Sequence, residues 1–188
     1  MEPGNLIPPE QGIMMQKPSL LSRLFGTRDD HAAVRPLWHR VVALARDKAW
    51  YAQGGIADTL AGRFDAITLV LSLVILRMER AEALKAPSAL ITELFVTDMD
   101  GQLRESGVGD LVVGKHIGRL MSVLGGRLGA LREALASDDE ATLTAAIARN
   151  ITLVDGANAA TVAQMTRQLA QNLAAMHDDD ILHGELAR

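Results

Sequence analysis

"DTLAGRFDAITLVLSLVILRMERA", residues 58–81, decides the fold. Leu60, Phe64, Ile67, Leu71, Val74, Met78 and Ala81 step along it by three and four, and the intervening positions from Leu69 to Leu76 are all Leu, Val or Ile except Ser72. That rhythm is helical, and a helix apolar on more than one side belongs in the middle of a protein. The apolar run from Ala66 to Leu76 is broken only by Thr68 and Ser72. It is shorter than the roughly 18 to 20 residues a membrane span requires, so it reads as a buried central helix. At its mouth stand Asp58, Gly62, Arg63 and Asp65. Asp58 is a fitting N-cap for the helix. Gly62 would leave room for a neighbouring helix to cross. Arg63 would then reach over that crossing to an acid on the neighbour, with Asp98 and Asp100 the candidates and Phe64 and Ile67 buried beneath. The same charges could instead form an edge that a partner reads, and the sequence leaves both roles open.

Working outward, helical spacing continues on both sides. Val34, Trp38, Val41 and Ala45 mark a helix before it, in which Pro36 is expected within the first turn. Ile91, Phe95, Met99 and Leu103 mark a helix after Pro87, ended by Gly107 and Gly109. Val113, Ile117, Leu120, Leu124, Leu131 and Leu135 mark the next. Its glycines come in pairs four apart, Gly114 with Gly118 and Gly125 with Gly129. Because glycine weakens a helix interior, the pairs predict close approach of another helix inside the domain. Asp138 or Asp139 is expected to cap a helix from Glu140 to Ile151, and Val162, Met165, Leu169, Leu173 and Met176 mark the last. No strand–turn–strand pattern is visible. The expected class is all-α: a single compact multi-helix domain over residues 19–188 around a buried central helix. Residues 1–18, with four prolines and two glycines, read as a disordered tail. "SLLSRLFG", 19–26, is a short amphipathic turn able to latch onto the core or touch a membrane surface.

Composition narrows the function. The chain has 188 residues, 48% apolar and 3% aromatic, with a formal charge of −4 and no cysteine. A core can form without disulfides or metal. Base-stacking platforms and generic attraction to phosphate backbones are not expected, and thiol catalysis or cysteine-based zinc sites are excluded. Met1 to Lys17 lacks the apolar stretch of a secretory signal.

Three stretches imitate catalytic sites. "LFVTDMDGQL", 94–103, resembles the first motif of haloacid-dehalogenase-type phosphatases, in which Asp98 would be the nucleophile and Asp100 the acid/base around Mg²⁺. That motif ends a strand of an α/β domain, whereas here the surroundings read as helices. On a helix the two aspartates would point about 200° apart and could not share one metal. "GDLVVGKH", 109–116, matches a phosphate-binding loop except that His116 replaces the Mg²⁺-holding hydroxyl residue, and its apolar interior suits a helix start capped by Asp110. "HDDDILH", 177–183, places two histidines on opposite sides of a helix, an acidic end rather than a metal site.

Two long blocks resemble one family. "WYAQGGIADTLAGRFDAITLVLSLVILRM" (50–78) and "ELFVTDMDGQLRESGVGDLVVGKHIGRLMSVLGGRLGAL" (93–131) are similar to the ubiquinol–cytochrome c chaperone family. The first carries Trp50, Tyr51, Asp58, Thr59, Gly62, Arg63, Phe64 and Asp65, and the second Asp98, Met99, Asp100, Leu103, Arg104, Glu105, Gly107, Val108, Gly109, Asp110, Gly114 and Lys115. The family's aromatic before the later Gly-Arg is missing, since Leu124 and Gly125 precede Gly126 and Arg127. The resemblance covers roughly residues 35–135, and beyond Asp138 only helicity matches. It implies a bacterial chaperone-like assembly factor for the cytochrome bc1 complex, respiratory complex III, and not an enzyme. Its implied partners are newly made cytochrome b and also the ribosome or a second small assembly factor. It implies a cytoplasmic protein, peripheral contact with the inner membrane included, with no cofactor, metal, specific nucleic acid or small-molecule substrate. Asp58, Arg63, Asp65, Asp98, Asp100, Arg104, Asp110 and Lys115 are its candidate partner-binding or helix-junction residues. The phosphatase built on Asp98 and Asp100 is the alternative.

Overall fold

The computed structural model of the chain describes residues 28–105 and 113–186, with backbone alone for 28–29, 103–105 and 113–117. The expected tail and amphipathic turn, and the glycines expected to end the Asp98 helix, lie outside these residues. Within them the chain forms α1 (Arg28–Ala45), α2 (Lys48–Ala52), α3 (Leu60–Met78), a 3₁₀ turn (Glu82–Leu84), α4 (Lys85–Glu105), α5 (Val113–Ala136), α6 (Glu140–Asn150), α7 (Ala159–Ala174) and α8 (Asp178–Leu182). The described residues contain no strand, only one isolated antiparallel bridge between Ile56 and Leu153. The all-α expectation holds.

α3 is the axis of the fold. From Asp65 to Ile75 every residue is buried, Thr68 and Ser72 included. Those two hydroxyls turn back on their own helix: Thr68 donates to the Phe64 carbonyl at 3.0 Å and Ser72 to the Thr68 carbonyl at 2.7 Å. Their polarity is thereby satisfied without water. α1, α4, α5 and α7 pack around α3. Each supplies the stripe its spacing announced: Val34, Leu37, Trp38 and Val41 from α1, Ile91, Phe95 and Met99 from α4, Leu120, Leu124 and Leu131 from α5, and Val162, Leu169 and Leu173 from α7. No helix among the described residues is long and apolar enough to cross a membrane.

Pro36 departs from expectation. α1 begins at Arg28, so this proline sits inside the helix and not in its first turn. It removes one helical donor, and it does so on the exposed side of α1. The chain's last described stretch crosses here: Gly184, at φ +71°, passes so close that a Cβ would lie 2.8 Å from the Pro36 carbonyl oxygen. Arg40 of α1 then holds the Leu186 carbonyl through its Nε at 3.0 Å.

α1 and α4 run parallel, because their ties ascend together: His31 meets Glu93 at 2.8 Å, and the Trp38 indole N–H donates to Asp98. Both helices therefore end on the same side of the molecule. The carbonyls that the end of α1 leaves without helical partners are closed by the aromatic pair of α2. Trp50 Nε1 donates to Leu44 O and Tyr51 Oη to Ala45 O, each at 3.0 Å.

Candidate functional site

The charged mouth of α3 divides into an exposed half and a buried half, and the division differs from the sequence expectation. Thr59, not Asp58, caps α3, its Oγ1 accepting from Gly62 N at 3.2 Å. Asp58 lies one residue further out and accepts from Arg63 Nε at 2.7 Å. Both side chains are open to solvent, 65% and 62% exposed. Arg63 thus reaches back to its own helix entry and not across to Asp98 or Asp100. The hydrogen bond from Arg63 holds the Asp58 carboxyl below its ordinary value, and that bond raises Arg63 in turn. Gly62 is required for another reason than a crossing helix: a methyl built on it would overlap the Ala57 carbonyl of the loop before α3.

Asp65 is the junction residue. Two positions after Arg63, it faces the opposite side of α3 and is 9% exposed, as is its partner Arg127 of α5. Arg127 Nη2 donates to Asp65 Oδ1 and, at 2.7 Å, to the Asn150 carbonyl at the end of α6. Arg127 Nη1 donates to Thr68 Oγ1. The second carboxylate oxygen of Asp65 accepts from Thr152 N at 2.8 Å and Thr152 Oγ1 at 2.6 Å. Both terminal nitrogens of Arg127 and both carboxylate oxygens of Asp65 are occupied, as a buried ion pair requires. It ties α3, α5 and the loop after α6 together. That loop in turn holds the one before α3, through Ala57 N to Thr152 O and Val154 N to Gly55 O, both 2.9 Å. Above the pair runs an aromatic row. The Trp38 and Phe95 rings stand edge-on with centroids 6.1 Å apart, Phe95 and Phe64 follow at 6.2 Å, and the Arg127 guanidinium lies 5.8 Å from the Phe64 centroid.

Arg127 is absent from the candidates that the sequence suggests, although the signal is present. Leu120, Leu124, Arg127, Leu131 and Ala134 step by four, three, four and three, and all five are buried. A charge in the apolar phase of a helix needs a buried counter-charge, and Asp65 is the opposite charge, likewise buried, on α3. The paired glycines of that helix answer differently from expectation at Gly118, Gly125 and Gly129, while the surroundings of Gly114 lie outside the described side chains. A methyl placed on Gly118, Gly125, Gly126 or Gly129 would meet nothing within 4 Å, so no helix approaches them among the described residues.

The remaining candidates are scattered. Asp98 and Asp100 lie within α4. Asp98 is an acceptor for the Trp38 indole, and neither aspartate stands at a strand end, as the phosphatase motif needs. Arg104 and Lys115 lie in α4 and α5, their side chains outside the described residues, and Asp110 lies outside them altogether. No group of acids and histidines that could hold a metal occurs among the described residues. His177 and His183 flank α8 and are exposed.

Beside the Asp58–Arg63 pair opens a groove of about 850 Å³, unforeseen from sequence. Phe64, Ile67, Met99 and Leu120 contribute apolar lining, and Arg46, Lys48 and Tyr51 line it from the α1–α2 corner. At its mouth Leu60 is 83% exposed. Partial burial raises the Tyr51 hydroxyl above its ordinary value, with Asp58 adding to the effect and Arg63 and Arg46 opposing it.

Comparison with known proteins places this geometry. The family described as "Ubiquinol-cytochrome C chaperone" matches residues 52–188. The chain belongs to the ubiquinol–cytochrome c chaperone family. Membership therefore extends through the helices after Asp138, where the resemblance of the motifs thins to helicity. A solved structure, the crystal structure of the Cbp3 homolog from Brucella abortus, is similar over 84% of this chain and 89% of that one, at 33% identity and a TM-score of 0.74. No curated protein matches the chain. In this family member the Asp-Met-Asp and Gly-Lys stretches that imitate a phosphatase and a nucleotide loop are parts of the chaperone's own α4 and α5 and the segment between them.

Proposed function

We propose that the chain is a non-enzymatic assembly factor that binds newly made cytochrome b while the cytochrome bc1 complex is built. Membership of the chaperone family over residues 52–188 carries this reading. The fold it shares with a Cbp3 homolog supports it. The division of the charged motif supports a binding role as well: Asp65 is consumed in the scaffold with Arg127, while Asp58, Arg63 and Leu60 remain at the surface. The exposed edge is the contact we assign to the protein partner. Ribosomal proteins, a second small assembly factor and the membrane surface belong to the same reading as further contacts near the site of synthesis.

The test is capture from detergent extracts with the tagged chain, followed by identification of what accompanies it, together with a deletion strain. Cytochrome b should be enriched, and the deletion should lower assembled bc1 complex while cytochrome b message persists. Normal bc1 content in the deletion strain, with no enrichment of cytochrome b, rules the proposal out.

A further inference from the structure

The groove beside α3 has a size and a charge that point to a ligand of its own. At about 850 Å³ it falls in the range of small-molecule sites, roughly 300 to 1,000 Å³. The lining is apolar along α3, α4 and α5, through Phe64, Ile67, Met99 and Leu120. Among the described residues its charged lining is Arg46, Lys48, Arg63 and Asp58. Asp58 is taken up by Arg63 at 2.7 Å, which leaves the positive charge of Arg46 and Lys48 in excess at this corner of a chain whose formal charge is −4. Asp47, the acid between them in sequence, is the N-cap of α2 and accepts from Ala49 N at 3.0 Å. An apolar lining with cations at one corner complements an alkyl chain ended by an anion.

We infer that the groove binds a free long-chain fatty acid, its chain over Phe64 and Ile67 and its carboxylate against Arg46 and Lys48. The inference does not depend on cytochrome b capture, and its readout needs no client. A site filled in this way would let the protein sense acyl chains, or carry one, next to the surface edge formed by Asp58, Arg63 and Leu60.

The test uses the purified full chain and titration calorimetry with laurate, below its micelle concentration, against dodecyltrimethylammonium, which has the same chain length and the opposite head charge. Laurate should bind saturably at one per chain and at least about tenfold more tightly than the cationic analogue, as two charged contacts at a partly enclosed site imply. The double variant Arg46→Gln/Lys48→Gln should erase the preference for the anion and melt like the parent by circular dichroism, since both side chains are at the surface. Ala61→Trp, at an exposed groove position, should block both ligands. Absence of saturable laurate binding overturns the inference, as does equal affinity for the two heads or binding untouched by both variants. Saturable binding of an apolar peptide with an acidic end, where laurate fails, would make the groove a polypeptide site instead.

Discussion

Arg127 of α5 and Asp65 of α3 form a buried ion pair 62 residues apart in sequence, each side chain 9% exposed, and together they bind the loop at Asn150 and Thr152. This pair, and not the Arg63 beside it in the motif, holds the central helix to its neighbours. Removing Arg127 leaves a carboxylate facing the core with only the Thr152 donors. Arg127→Ala should lower stability by about 3 to 5 kcal/mol, the usual cost of orphaning a buried charge. Lysine should rescue little, because one ammonium cannot serve Asp65, Thr68 and Asn150 at their separate positions. Urea unfolding of Arg127→Ala, Asp65→Ala and the double variant should give a coupling energy of about 1 to 3 kcal/mol. Additive single effects would mean the two side chains act independently.

Arg63→Ala should melt with the parent protein. Its ion pair with Asp58 lies in solvent, where such pairs add little to stability. The variant should nonetheless weaken capture of the protein partner, since the pair stands on the edge assigned to it. A melting temperature lowered as far as that of Arg127→Ala would place Arg63 in the scaffold after all.

Two glycine substitutions should have opposite signs. Gly62→Ala puts a methyl into the Ala57 backbone carbonyl, so the loop before α3, and through it the contact with Thr152, has to move. It should destabilise markedly. Gly125→Ala meets nothing within 4 Å and should stabilise by about 1 kcal/mol through helix propensity alone. Thermal melts of the two variants beside the parent decide the matter. A destabilised Gly125→Ala would show that a close neighbour covers this face.

Asp139 caps α6 and predicts an acid dependence. Its carboxylate accepts from Ala141 N at 3.0 Å and Thr142 Oγ1 at 2.9 Å, and these bonds, the backbone one foremost, lower its pKa below the ordinary 3.8. A carboxyl with a depressed folded-state pKa gives stability that is present above the unfolded value and is lost as pH falls through the folded one. Asp139→Ala should therefore be less stable than the parent at pH 7, and the gap should begin to narrow below about pH 4, near the free carboxylate pKa, and close only below the depressed folded value. Parallel denaturation series at both pH values measure it. A gap that is constant with pH would mean the carboxylate charge plays no part in the cap.

The long helices were legible because each carries its own apolar stripe, from Val34 to Ala45 in α1 through Val162 to Leu173 in α7, whereas the five-residue α2 and α8 are too short to carry one and were not foreseen as separate helices. The family was legible because its motifs are contiguous: Asp58 to Asp65 at the mouth of α3, and Asp98 to Lys115 across α4 and α5. Contiguity says nothing about pairing, however. Arg63 and Asp65 stand two residues apart, and helix geometry turns one to solvent and the other to the core. The acid–base partners were thus settled by tertiary structure, which brought Arg127 to Asp65, Trp38 to Asp98, and left Arg63 with Asp58. The glycines of α5 were misleading for the same reason, since a repeat of small residues marks a surface where helices can approach and does not supply the helix. The groove has no sequence signature at all. It exists because α1 and α4 run parallel and end together beside the first turns of α3, and only the packing of distant elements fixes where three helix ends leave space between them.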